Sequence, residues 1–481
     1  MRRMVGRASR IALGGFVLLF TLRNLVSIHS SQTHLPDPAA DAKILNLRVQ
    51  VEKQNSELLL GKIADKSHLY EQLRNTQVQL QKLMHEDYGT IMTNPQPPGE
   101  ELNRRAAQRQ QVVVPKPVHY EHLDQKGAPP DIARKLLSAD RIAVLVIAYN
   151  RADYLDQALS SLYSVHPGGS SFPVFVSQDG EDEAVANVIR KHGAHRMVHE
   201  RRQLELPRDL PQLKKYPGYA YLCVHYGWAI RQLFAHSSNF EGIIILEEDI
   251  EVGSDFFGYF NATAPLLYQD PSLLCVSAYS DNGQPRYVED HARLFRSDFF
   301  PGLGWLLSRQ LWLELEPKWP ENRGYWDDWL REPPQRRGRA SIRPEVSRTR
   351  TFGEKGTSKS QFYRKFLKTL DISKVSVAWE DMNVSYLLKD EYDVAFSAEV
   401  DAASDTSLML ALEGPSSGNL NSLRVGYDSP GELKKMCQRL QIMDDLKAGI
   451  PRTAYHGVVT LRANGRLLHL TPTYTVEQEI V

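Results

Sequence analysis

Ile142-Ala-Val-Leu-Val-Ile-Ala148 runs through a stretch of the chain without one polar side chain. A strand with a solvated face would alternate, so an unbroken run predicts burial on both faces, as inside a parallel sheet. It stops at Tyr149-Asn150-Arg151, after which Leu155, Ala158, Leu159 and Leu162 recur at helical spacing. Phe172-Pro-Val-Phe-Val-Ser177 reads as a second strand, ending in Gln178-Asp179-Gly180. Gly242-Ile-Ile-Ile-Leu246 reads as a third, ending in Glu247-Glu248-Asp249. Strands alternating with helices predict an α/β fold built on βαβ units. Ligands of such sheets collect outside the carboxyl ends of the strands, where all three runs turn polar or charged.

Glu247-Glu248-Asp249 is the sharpest local signal. If the strand continues, Glu247 and Asp249 project together and Glu248 points away. Hard carboxylate oxygens at a strand end suit Mg²⁺ or Mn²⁺, which can grip a diphosphate and offset charge on a leaving group. The bland alternative is an acidic turn before a helix. Trp326-Asp327-Asp328-Trp329 also supports two readings. Two aromatics flanking acids could form a sugar platform beside a general base for a hydroxyl nucleophile. Equally, Asp327 could pair with Arg331 at i,i+4 while the tryptophans fill the core. His225 sits in a stretch of helical period, Tyr219 to Ile230, where a packed core histidine is the plainer reading. Phe299-Phe300-Pro301-Gly302-Leu303-Gly304-Trp305 is turn-rich, its glycines allowing close backbone approach to a sugar or simply a buried turn.

With 481 residues the chain is long enough for two or three domains. Lys+Arg and Asp+Glu both number 58, so no net field draws nucleic acid, and no nucleic-acid partner is expected. Cys223, Cys275 and Cys437 show no metal-site or redox spacing and allow one disulfide at most. Arg2, Arg3, Arg7 and Arg10 precede an uncharged run from Ile11 to Leu22. As a helix that run covers about 18 Å, against a hydrocarbon core of roughly 30 Å. A span reaching Ile28 works if the flanking arginines snorkel, and the basic flank then orients the chain as type II. A cleaved signal peptide is the alternative. From Asp41 to Glu86, Ile44, Leu47, Val51 and Leu58, then Leu69, Leu73, Thr76, Leu80 and Leu83, fit heptad registers with a slip near Leu59 to Lys62. A coiled-coil stem would pair two chains as a homodimer; a merely amphipathic stalk would not. Asn94-Pro95-Gln96-Pro97-Pro98-Gly99 opens a linker, and the compact part is expected to begin near Asp131.

Taken together, these segments resemble glycosyltransferase family 13. The resemblance is carried by Val146-Ile-Ala-Tyr-Asn-Arg151, Val176-Ser-Gln-Asp-Gly180, Ile245-Leu-Glu-Glu-Asp-Ile-Glu-Val252 and Ser297-Asp-Phe-Phe-Pro-Gly-Leu-Gly-Trp305. It continues through Pro317-Lys-Trp-Pro320, Tyr325-Trp-Asp-Asp-Trp-Leu330, Ile342-Arg-Pro-Glu-Val-Ser-Arg348, Thr351-Phe-Gly353 and Ile450-Pro-Arg-Thr-Ala-Tyr455. The family implies a GT-A nucleotide-sugar-binding fold, a Rossmann-like mixed sheet, followed by a smaller carboxy-terminal domain. On that pattern the chain divides into a cytoplasmic tail (1–10), a signal anchor (11–28), a stem (29–129, coiled coil 41–86), a catalytic domain (130–355) and a carboxy-terminal domain (356–481). It implies a Golgi membrane protein with a lumenal catalytic domain. The implied reaction moves N-acetylglucosamine from UDP-GlcNAc, with inversion, to the 2-hydroxyl of an α1,3-linked mannose of an oligomannose N-glycan, with Mn²⁺ as cofactor. Carried over residue by residue, Asp327 is the general base and Asp249 the Mn²⁺ ligand. Arg151, Asp179, His225, Glu247, Glu248 and Ser358 are expected to contact the donor.

Three departures from the family pattern stand out. Glu248 replaces the usual aspartate in the middle of the acidic triplet. Asn322-Arg-Gly324 reads as an insertion before the Trp-Asp-Asp-Trp motif. Ser341 stands where some relatives carry a cysteine, which leaves Cys275 without that partner. Asn261-Ala-Thr263 and Asn383-Val-Ser385 are glycosylation sequons. The competing expectations are transfer of the same sugar to O-linked mannose, and a glycan-binding relative without turnover.

Overall fold

Ile142–Ala148 forms β1, and every residue of it is buried. In this computed structural model the described residues are 127–481, except 355, 357–362, 364, 414–421 and 475–481. The anchor expected at 11–28 and the coiled coil expected at 41–86 lie outside them. Among the described residues no helix is long and apolar enough to cross a membrane. A short helix α1 (Pro130–Leu136) opens the described chain.

Alternation explains the all-apolar run. Val144 and Val146 point into one apolar cluster with Leu155, Leu159, Val176 and Phe256. Leu145 and Ile147 point into another with Tyr226, Ile230, Trp305 and Trp326. Helices α2 (Ala152–Ser164) and α5 (Phe256–Thr263) supply residues to the first layer, and α4 (Gly218–His236) to the second. Helix α3 (Glu183–His192) is capped at its start by the Asp182 side chain on Val185 N–H and at its end by Gly193 in the left-handed region.

The main sheet has eight strands in the order β3-β2-β1-β4-β8-β6-β9-β7. These are β2 (Val174–Asp179), β3 (His195–His199), β4 (Gly242–Glu247), β6 (Leu273–Ser277), β7 (Leu294–Ser297), β8 (Trp305–Ser308) and β9 (Ala340–Pro344). β1 pairs in parallel with β2 and β4, whereas β8 runs antiparallel between β4 and β6. The fold is therefore α/β with a mixed sheet. Register sets the site: Ile147 stands opposite both Ser177 and Glu247, so three strand ends finish in one row. A two-stranded ladder, β5 (Ile250–Val252) against β10 (Thr349–Thr351), then folds the chain back beside the acidic triplet.

A smaller sheet in the carboxy-terminal part has the order β11-β12-β16-β15. Its strands are β11 (Ser404–Asp405), β12 (Leu423–Tyr427), β15 (Val459–Ala463) and β16 (Arg466–Pro472). It forms a core of its own with helix α8 (Pro430–Leu440), through Leu423, Val425, Leu433, Leu440, Leu461 and Leu468. Helix α7 (Lys389–Asp401) precedes it. A hairpin of β13 (Leu446–Lys447) and β14 (Ile450–Pro451) projects between α8 and β15. Cys223, Cys275 and Cys437 are buried and free. Cys275 stands opposite Ser341 on parallel strands, its thiol 3.3 Å from the serine hydroxyl, so the serine leaves that position unbridged.

Candidate active site

β4 ends at Glu247, and the next two residues form a turn. The alternation expected through Asp249 therefore stops two residues early, which corrects the placing of Glu248. Its backbone N–H donates to Ile147 O at 3.0 Å. Its carboxylate is buried, accepting from Tyr149 N–H at 2.6 Å and Arg151 Nε at 2.5 Å. The same guanidinium donates through Nη1 to Asp249 Oδ2 at 2.8 Å. Arg151 thus gathers Glu248 and Asp249, while Glu247 faces another way. Burial opposes the Arg151 charge, but Asp249 and Glu248 outweigh it and raise the guanidinium above its ordinary value. The two oxygens of Glu248 fix both the Tyr149 backbone and Arg151.

Glu247 accepts a hydrogen bond from Tyr226 Oη at 2.8 Å. Burial, reinforced by the neighbouring Asp249 charge, pushes its carboxyl up to about 7. Tyr226 comes from α4, and its ring stacks on Trp326 with centroids 4.5 Å apart. Trp326 opens helix α6 (Trp326–Arg331), on which Asp327 is the next residue. Tyr226 lies within electrostatic reach of Glu247, Asp249 and Asp327 alike. The acidic triplet and Asp327 therefore lie in one neighbourhood, which Tyr219 and Tyr226 of α4 both reach, two tyrosines that the sequence reading did not single out.

The contacts of Trp326-Asp327-Asp328-Trp329 follow the pairing and packing reading. Trp326 is buried among Trp305, Trp319 and Phe300, so it is core and offers no sugar platform. Trp329 packs against Trp319. Asp327 does pair with Arg331 at 2.7 Å, yet its side chain remains 43% exposed. A carboxylate held by a buried arginine and open to solvent is placed to take a proton from a ligand hydroxyl.

Asp179, at the end of β2, is held by His199 Nδ1 at 2.8 Å and by Arg201. Burial would raise its carboxyl, but the His199 hydrogen bond and the Arg201 charge lower it overall. His225 is buried, with Nε2 2.8 Å from Ser177 Oγ and its ring stacked on His199. Burial lowers it to about 3, which makes it a neutral, packed histidine at neutral pH. Arg201 also lies over the Tyr149 ring at 4.2 Å, linking the Asp179 group to Glu248 through the Tyr149 backbone.

Opposite the triplet, Phe352 N–H donates to Asp249 O at 2.9 Å. A Cβ at Gly353 would overlap the Asp249 carboxylate, so only glycine leaves that carboxylate its place. The backbone at Gly356 continues past Arg151. Ser358 lies outside the described residues. Three carboxylates and one gathered guanidinium leave this corner with excess negative charge that a divalent cation would offset. Among the described residues no group of three or more His, Cys, Asp or Glu forms a metal cage. Ions of the Mg²⁺ type use one or two carboxylates and complete their shell with phosphate and water oxygens, a mode that Asp249 fits.

A family model described as GNT-I matches residues 66–480. Among curated proteins, the alpha-1,3-mannosyl-glycoprotein 2-beta-N-acetylglucosaminyltransferase of Arabidopsis thaliana is 39% identical over 328 residues, covering 66% of this chain and 71% of its own. Solved structures are distant. The mannosyltransferase PcManGT from Pyrobaculum calidifontis, in complex with GDP-Man and Mn²⁺, is 14% identical, covers 57% of this chain and 82% of its own, and has a TM-score of 0.30. S. aureus TarS in complex with UDP-GlcNAc is 13% identical, covers 55% and 66%, and has a TM-score of 0.27.

Proposed function

The chain belongs to the GNT-I family, and from that premise we propose that it transfers N-acetylglucosamine from UDP-GlcNAc to the 2-hydroxyl of the α1,3-linked mannose of an oligomannose N-glycan. The transfer starts hybrid and complex glycans and proceeds with inversion, on a GT-A fold. The observation that carries the mechanism is Tyr226, bonded to Glu247 on one side and stacked on Trp326 beside Asp327 on the other.

Asp249 would hold Mn²⁺, which when bound would supply positive charge against the negative charge developing on the departing UDP. Arg151, Asp179 and His225 line the nucleotide side, with Glu248 fixing Arg151. Glu247, steadied by the Tyr226 hydroxyl, faces the sugar, and Ser358 is assigned to the donor by the family pattern alone. Asp327 takes the proton from the incoming mannose hydroxyl. Attack on the face opposite the leaving diphosphate gives inversion.

The basic flank and the apolar run from Ile11 support a type II anchor in the Golgi membrane with the catalytic region lumenal. The heptads in 41–86 support a homodimer through the stem. The test is a UDP-GlcNAc transfer assay on an oligomannose N-glycan, with and without Mn²⁺, with the product linkage read by NMR. A Mn²⁺-dependent β1,2 linkage is expected. No transfer to that glycan, or preference for an O-mannosyl peptide, would overturn the proposal.

A further inference from the structure

The β13–β14 hairpin lies far along the chain from Asp327, yet its tip ends against the Asp327 helix. Leu446 stands opposite Pro451 and Lys447 opposite Ile450. Between them Ala448 and Gly449 both have positive φ, 47° and 78°, the pair of conformations that closes a two-residue turn. For Ala448 that conformation is costly, so the tight turn is held against local preference. Arg452 holds it. Its Nε and Nη2 donate to Asp445 at 2.7 and 3.0 Å, ahead of the hairpin, and Nη1 donates to Asp281 at 2.5 Å. The Arg452 guanidinium lies 5.0 Å over the Phe299 ring, and Arg331 lies 4.8 Å over the same ring. The hairpin anchor and the arginine that holds Asp327 are thus locked on one aromatic side chain.

Lys447 Nζ donates to Asp328 Oδ2 at 2.9 Å. Asp328 Oδ1 and Asp327 Oδ2 both accept from Arg331 Nη1, each at 2.7 Å. One guanidinium nitrogen therefore serves two carboxylates, and Lys447 takes up the charge of the one beside Asp327. Arg331 has little freedom to adjust, since it is buried and its Nε donates to Phe300 O at 3.1 Å. Without Lys447, Asp328 would draw harder on Nη1, and the half-open Asp327 carboxylate would lose its fixed orientation.

We propose that Lys447 is a positioning residue for the Asp327 carboxylate, acting through Asp328 and Arg331 and presented by the Arg452-anchored hairpin. The proposal rests on the reading of Asp327 as general base. Its test is steady-state transfer by the full chain, comparing Lys447→Ala, Lys447→Arg, Asp328→Asn and the Lys447→Ala/Asp328→Asn pair, with Asp327→Asn alongside. Lys447→Ala is expected to lower kcat about tenfold with the donor KM within about twofold, and Lys447→Arg to recover most of it. In the Asp328→Asn background the same change should cost less than about twofold more. Unchanged kcat in Lys447→Ala, or an equal loss without the Asp328 charge, would overturn the proposal. Thermal denaturation identifies a variant lost to misfolding, in which case Lys447→Gln is read by the same criteria. Parental turnover in Asp327→Asn would instead sink the general-base reading, whatever Lys447 does.

Discussion

The Tyr226 hydroxyl donates to the Glu247 carboxylate at 2.8 Å while its ring stacks on Trp326. One side chain from α4 therefore spans the two clusters that the transfer reaction needs close together. Glu247 is half-buried and shares its surroundings with Asp249, so it depends on that hydroxyl for a fixed orientation.

Tyr226→Phe keeps the ring and removes only that bond. It is expected to lower kcat by about tenfold while UDP affinity changes little, because the proposed UDP contacts lie on the Asp249 and Asp179 side. Steady-state kinetics beside UDP calorimetry checks this. Equal losses in both would make Tyr226 a general structural support.

Gly353→Ala forces a methyl into the space of the Asp249 carboxylate. UDP binding in the presence of Mn²⁺ is expected to weaken by at least about tenfold, as when metal-ligand geometry is disturbed, with little change in its absence. Calorimetry with and without the ion reads the difference.

Asp249→Asn removes the proposed ion ligand itself. The Mn²⁺-dependent part of UDP affinity should disappear, leaving a variant whose weak binding is indifferent to added ion. Unaltered dependence on Mn²⁺ would move the ion elsewhere.

His225 gives a pH signature. Its folded value of about 3 lies below the ordinary 6.5, so in the acid range the unfolded chain binds the extra proton. The associated stability is fully present above about 6.5 and is lost as pH falls toward 3. Between pH 7.5 and 5.5 the parent should lose about 1 kcal/mol more than His225→Asn. Urea denaturation at the two pH values measures it.

Much of this was legible in the chain before folding, for physical reasons that differ by residue. The Ile142–Ala148 strand could be read because burial on both faces leaves no polar position. Asp249 and Asp327 stood out because acids beside apolar runs and tryptophans are locally conspicuous. Strand β8 was not legible. It is short, lies in a turn-rich aromatic segment, and runs antiparallel through pairings with β4 and β6 that no local pattern encodes. Glu248 was misplaced because the strand rule was carried past Glu247, where the chain already turns. Tyr226 sits in a stretch of its helix where buried residues run together, His225 to Gly227 and Ala229 to Ile230, so its hydroxyl had no periodic signal. Lys447 meets Asp328 across 119 residues of chain, beyond any local reading.

The most direct test is the single-turnover rate of Asp327→Asn preloaded with UDP-GlcNAc and Mn²⁺, then mixed with the mannosyl acceptor. Transfer should slow by at least about 10²-fold relative to the parent, the lower end for loss of a general base. A rate within about threefold of the parent, from protein that binds the donor normally, would contradict a carboxylate at position 327 accepting the proton.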